Sequence, residues 1–138
     1  MAIQAGVGLS REKDSYQAGY EACKTAMEKM GGGNPDLTIV FGSVDFDQQE
    51  LLKGVREANG GAPLVGCTDA GEITNEGPTK GGVAVMAIAS DTTKFHLGIG
   101  KDIKEGDKIF AYDGSVVDVT GVYPQGKRDV YKVTFSDG

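Results

Sequence analysis

Between Ile3 and Asp69 the hydrophobic pattern changes period repeatedly, and no other feature limits the possible folds so strongly. Ile3 to Leu9 alternates Ile3, Ala5, Val7 and Leu9 with the small Gly6 and Gly8, the two-residue period of a strand that a neighbour approaches closely. After Ser10 the spacing lengthens. Tyr16, Tyr20, Cys23, Met27 and Met30 fall at steps of four and three, one apolar stripe along a helix that Asp14 or Ser15 can cap. Gly31-Gly32-Gly33 stops that helix and Asn34-Pro35 prevents its resumption. This glycine run is not a phosphate loop, because it follows a helix instead of a strand and no Gly-Lys-Ser/Thr accompanies it.

The pattern then repeats. Leu37 to Phe41 is nearly continuous in apolar character, as a central parallel strand is, and breaks at Gly42-Ser43. Asp47 with Glu50 three positions on marks a capped helix start; Leu51, Leu52 and Val55 give that helix its buried face, and Gly60-Gly61 closes it. A third strand begins at Leu64-Val65. Strand, helix, strand, helix and strand with short links predict an α/β fold: a short, mostly parallel sheet with two crossover helices, its three strands forming a parallel core. Gly82 to Ala89 and Lys94 to Ile99 read as two further strands joined as a hairpin through Ser90 to Thr93.

The segment Ala62 to Ile73 is the candidate site. Its apolar start breaks at Gly66 and is followed by Cys67, Thr68, Asp69, Gly71 and Glu72. Open α/β sheets bind ligands beyond the carboxyl ends of their strands, and this topology brings Ser10, Ser43, Asp45 and the run Cys67 to Glu72 to one rim. Asp69 and Glu72 can serve as acid and base, cap backbone amides in a glycine-rich turn, or receive an ammonium group with Thr68 beside them. Cys67 can be a nucleophile or a small buried hydrophobe. No base accompanies it in the sequence: His96 is the one histidine, and it falls in the predicted strand Lys94 to Ile99.

Composition narrows the partners. The formal net charge is −6 with Lys and Arg scattered, which disfavours nucleic acid and acidic membrane surfaces. The longest apolar run, Val83 to Ala89, is far short of the ~20 residues of a membrane span. No signal peptide is visible, so a cytoplasmic location is expected. Cys23 and Cys67 form no C-x-x-C and no zinc-ligand spacing accompanies them. No metal, nucleotide or haem cofactor is implied.

From Lys104 the texture becomes one of tight β signals. Ile109 to Tyr112 and Ser115 to Thr120 flank the turn pair Asp113-Gly114, and Val130 to Phe135 alternates again. These residues predict antiparallel β-hairpins after the α/β part. A chain that stops at Ser136-Asp137-Gly138, itself a turn signal, is expected to be cut or joined from parts.

Pro63-Leu-Val-Gly-Cys-Thr-Asp-Ala-Gly-Glu72, spaced as it is from Pro35 to Ser43 and from Gly81 to Ile88, resembles the hallmark segment of the FIST N-terminal domain over about residues 3 to 103. That resemblance implies a sensory module of signal transduction that binds small ligands such as amino acids. Glu105 to Gly114, Val119 to Gly126 and Asp129 to Gly138 are similar to the early β region of Hint (intein) domains. Splicing needs a nucleophile at the start of such a domain, and none stands near Gly100; a Thr-x-x-His segment and a terminal His-Asn pair are also missing. The expected organisation is a partial FIST-like domain at 1–103 and an incomplete, chemically inert Hint-like hairpin extension at 104–138.

The expected function is non-catalytic recognition of a small polar metabolite such as an amino acid through Ser43, Cys67, Thr68, Asp69, Gly71 and Glu72. Two other classes stay open: a thiol-dependent enzyme using Cys67, and a structural fragment that associates through unpaired β edges, as a homo-oligomer or with a partner domain.

Overall fold

The computed structural model describes residues 3–111 and 114–124. The chain divides after Leu97 into two compact units. The first contains β1 (Ile3–Ser10), α1 (Ser15–Met30), β2 (Leu37–Ser43), α2 (Gln48–Ala58), β3 (Leu64–Asp69), the short strands β4 (Ile73–Thr74) and β5 (Gly77–Pro78), and β6 (Val83–Ser90). The second contains β7 (Lys108–Phe110) and β8 (Val116–Asp118).

The architecture is α/β, with a mixed four-stranded sheet in the order β1-β6-β2-β3. β2 and β3 pair in parallel, while β6 runs antiparallel between β1 and β2. The strands β1, β2 and β3 therefore share one direction, but they are not the contiguous parallel core that their sequence order predicts. The insertion of β6 also explains why Lys94 to Ile99 forms no strand. Both edges of β6 are already paired, so no hydrogen-bonding edge remains for a hairpin partner. Ser90 instead ends β6 in a turn: its N–H donates to Asp36 Oδ2 at 2.8 Å and its Oγ accepts from the N–H of Thr93 at 2.9 Å.

Two strands run further than the glycines in them suggest. β2 continues through Gly42 to Ser43, and β3 passes through Gly66 without breaking, ending only at Asp69. The parallel register pairs Phe41, Gly42 and Ser43 with Cys67, Thr68 and Asp69. A Cβ at Gly66 would lie 1.9 Å from the carbonyl oxygen of Val40, so the glycine permits close approach of two strands and does not mark a turn.

Both helices lie on one face of the sheet. α1 is capped by Asp14, whose Oδ1 accepts from the N–H of Gln17 at 2.9 Å, and it closes on Gly31 in the left-handed conformation. α2 is capped by Asp47, which accepts from the N–H groups of Gln49 and Glu50 at 2.9 and 3.2 Å. Its last turn is held by the buried Asn59, whose Nδ2 donates to Thr38 Oγ1 at 3.1 Å.

The buried face of α1 keeps Cys23 and Met30 of the predicted stripe, with Met27 packed against the core, but is centred on alanines and leaves the two tyrosines at its margin. Ala18, Ala22, Cys23, Ala26 and Met30 are buried, whereas Tyr16 and Tyr20 are half-buried and stack on each other with centroids 6.2 Å apart. Contact distance is the reason. A Cβ at Gly6 would lie 2.1 Å from the carbonyl oxygen of Ala26, and one at Gly8 2.0 Å from that of Ala22. With backbone this close to backbone, only small side chains fit between. Val40, Leu51, Val55, Val83, Val85 and Ala87 complete the core.

In the second unit β7 and β8 pair antiparallel, Ile109 opposite Val117, with Lys108 Nζ donating to Asp118 Oδ1 at 2.7 Å. This is the expected hairpin; Tyr112, Asp113 and the expected strand Val130 to Phe135 lie outside the described residues.

Candidate functional site

The carboxyl ends of β1, β2 and β3 reach one rim, as shared strand direction requires. Ser43 and Asp69 are register partners there, so their side chains lie side by side on one face of the sheet. Ser10 stands at the same rim, opposite Val83 of β6.

Ser43 is buried. Its Oγ donates to Asp45 Oδ2 and accepts from the N–H of Asp45, both at 3.3 Å, while its carbonyl accepts from Gln48 Nε2 at 2.9 Å. Ser43 and Asp45 thus shape the β2–α2 turn. Cys67 and Thr68 are exposed at the end of β3, so the pattern's buried-hydrophobe alternative for Cys67 does not hold. Cys23 is the buried thiol, and burial pushes it up to about 11.

Glu72 is 2% exposed and its carboxylate is engaged at both oxygens. Oε2 accepts from Thr79 Oγ1 at 2.6 Å and Oε1 from the N–H of Gly82 at 3.2 Å. The backbones of Glu72 and Thr79 also exchange hydrogen bonds of 3.2 and 2.8 Å. The carboxylate therefore joins the loop after β3 to the start of β6. A Cβ at Gly71 would meet the Thr79 carbonyl oxygen at 2.8 Å, which keeps that position small.

Asp69 differs. It is half-buried, and its Oδ1 is shut off from solvent with no hydrogen-bond partner among the described residues. Burial pushes its carboxyl above the usual carboxylate range. The charge of Glu72 and a hydrogen bond shared with Glu72 act in the same direction, while the backbone N–H of Gly71 pulls the other way. Of the two carboxyl oxygens, Oδ1 is the one without a donor among the described residues.

The rim therefore brings together Ser43, Asp69, Glu72 and Gly71, with Cys67 and Thr68 on the open end of β3. His96 lies in irregular chain, not on a strand. Thr79 and Gly82 escape a reading of the sequence; the one signal for them is the glycine pair Gly81-Gly82 directly before β6. Among the described residues no group of three His, Cys, Asp or Glu side chains could hold a metal ion, and no helix is long and apolar enough to cross a membrane.

The chain is similar to two uncharacterized proteins of Mycobacterium tuberculosis, Rv0628c of strain ATCC 25618 / H37Rv and MT0656 of strain CDC 1551 / Oshkosh. Each is 33% identical over 100 residues, which cover 69% of this chain and 26% of the relative. The chain thus spans about a quarter of the length of the curated relatives it matches. Among solved structures, a point mutant of FtsZ from M. jannaschii superposes with a TM-score of 0.42 at 19% identity, covering 64% of this chain and 27% of that one. The FIST N domain model matches residues 36–128, from the start of β2 through the candidate rim and past β8. That match takes in two thirds of the chain, including much of the stretch that is similar to Hint domains, and the chain belongs to the FIST N domain family of sensory, signal-transduction modules.

Proposed function

We propose that the chain is a non-catalytic sensory module that recognises a small polar metabolite, an amino acid in particular, at the carboxyl ends of β2 and β3. The observation that supports this most is the buried, unpartnered Oδ1 of Asp69. Leaving such an acceptor unsatisfied costs about 1–3 kcal/mol, and a ligand ammonium supplies the missing donor. Its positive charge also favours the ionised form of Asp69 that burial and Glu72 oppose.

In this reading Asp69 receives the ammonium, and Thr68 and Cys67 line the open side. Ser43 and Gly71 form the floor and the turn. Glu72 works through the loop that it holds.

The test is a thermal-shift screen of the purified chain against free amino acids and small carboxylates, repeated with Asp69→Ala and Glu72→Ala. A ligand present at one hundred times its dissociation constant stabilises the chain by about 2.7 kcal/mol, and Asp69→Ala abolishes that gain. A protein that melts cooperatively and responds to no compound would end this reading.

A further inference from the structure

We propose that Lys80 receives the carboxylate of the ligand, so that the rim selects α-amino acids carrying both a free ammonium and a free carboxylate. This assignment rests on the reading that Asp69 takes the ammonium, and it adds the group that answers the other end of the molecule. The loop after β3 places the lysine. β4 and β5 pair Thr74 with Gly77 and Ile73 with Pro78, and the backbones of Glu72 and Thr79 continue that ladder with bonds of 3.2 and 2.8 Å. The next positions across the ribbon are Gly71 and Lys80. A Cβ at Gly71 would lie 3.7 Å from Lys80 Cγ, so the lysine stem lies against the turn that follows Asp69.

The same turn holds the acid. The Asp69 carboxyl accepts from the N–H of Gly71, while its Oδ1 is shut off from solvent and has no donor among the described residues. One glycine therefore adjoins both groups: its N–H meets Asp69 and its bare α-carbon faces the stem of Lys80. A lysine ammonium is a compact charge on a flexible stem, which lets it close on a carboxylate held beside Asp69.

Lys80 is available for this role. Glu72, in the same loop, has its carboxylate filled by Thr79 Oγ1 and the N–H of Gly82. Lys80 is exposed and forms no ion pair among the described residues, whereas Lys29 and Lys53 meet Glu76 and Glu50. Arg11 and Lys13 follow β1, which β6 and β2 separate from β3; three strand spacings put β1 about 14 Å from β3. The net charge of −6 acts against a bare carboxylate but not against a zwitterion, whose charges cancel.

Isothermal titration calorimetry of the full chain with the common L-amino acids, each beside its α-amide, reads the contribution of the carboxylate. The tightest-binding amino acid and its amide are then titrated into Lys80→Gln and, as a charge control, into Lys24→Gln on α1. The wild type is expected to prefer the amino acid over its amide by about ten- to a hundredfold, the range of a charged hydrogen bond. Lys80→Gln is expected to bring the amino acid down to the affinity of the amide without changing that of the amide, and Lys24→Gln to change neither. An amide that binds as well as the acid, or equal losses in Lys80→Gln and Lys24→Gln, would overturn the proposal. Binding that Asp69→Ala abolishes and Lys80→Gln leaves intact would remove Lys80 alone and leave the sensory reading standing. A wild type that binds no amino acid would end both.

Discussion

Thr79 Oγ1 donates to Glu72 Oε2 across 2.6 Å, and this bond ties the loop leaving β3 to the chain entering β6. A carboxylate 2% exposed is tolerated because its other oxygen takes the N–H of Gly82.

Removing Glu72 therefore tests structure before it tests binding. Glu72→Ala leaves the hydroxyl of Thr79 and the buried N–H of Gly82 without their acceptor, at a cost of roughly 2–4 kcal/mol. Thr79→Val removes one donor only and costs about 1–2 kcal/mol. Urea denaturation of both variants checks this order. Equal losses would mean that the Gly82 bond contributes nothing.

Asp69 gives the protein a pH dependence opposite to that of an ordinary paired carboxylate. Its folded-state value is raised, so the folded chain holds the proton to higher pH than the unfolded chain does. Stability contributed by this group is full below the ordinary value of 3.8 and falls as pH rises through the raised one. Asp69→Asn is expected to remove this decline, leaving the variant more stable than the wild type near neutrality and no more stable in acid. Thermal melts across that pH range measure it. A ligand ammonium adds the reverse linkage: its affinity rises with pH through the titration of Asp69.

How much of this was legible in the sequence follows from which interactions were local. The caps at Asp14 and Asp47 and the stop at Gly31 lie within four residues of the groups they satisfy, so the sequence carries them. The rim was legible too, because three strands separated by helices end on one side. The place of β6 was not, since it depends on which edges compete for pairing across a separation from Ile3 to Ser90. The buried face of α1 was read in part only, missing its alanines and overstating its tyrosines, for a related reason. Cys23 and Met30 of the stripe are core, but Gly6 and Gly8 set a contact distance that brings Ala22 and Ala26 against β1 and leaves Tyr16 and Tyr20 half-buried. Within the site, Asp69 and Glu72 look alike in sequence, and only the positions of Thr79 and Gly82 separate them.

The two helices meet through glycines as well. A Cβ at Gly54 would lie 2.1 Å from the carbonyl oxygen of Tyr16, and one at Gly19 2.2 Å from that of Leu51. Neither clash involves a flexible side chain, so α1 and α2 must move apart to admit a methyl group. Gly54→Ala, favourable for a helix by propensity, is expected to destabilise by about 1–3 kcal/mol through overpacking. A gain in melting temperature would show that the helices separate at little cost.

The two cysteines should be told apart by their reaction with a thiol reagent. Cys67 is exposed and Cys23 is 0% exposed, its thiol pushed up to about 11 by burial alone. The thiolate is the reactive form, so Cys23 is doubly protected in the native state, by access and by protonation. Native protein is expected to release one equivalent of chromophore from a disulfide reagent near pH 8, and denatured protein two. Cys67→Ser should leave the native protein with almost no fast reaction, while Cys23→Ala should leave the fast phase unchanged and lower stability through the cavity it opens beside Ala22 and Ala26. The rate at Cys67 also decides the enzymatic alternative. A pH–rate profile for alkylation that follows an ordinary free thiol marks Cys67 as a wall of the ligand site, whereas fast reaction persisting well below pH 7 would mark an activated nucleophile and a catalytic rim.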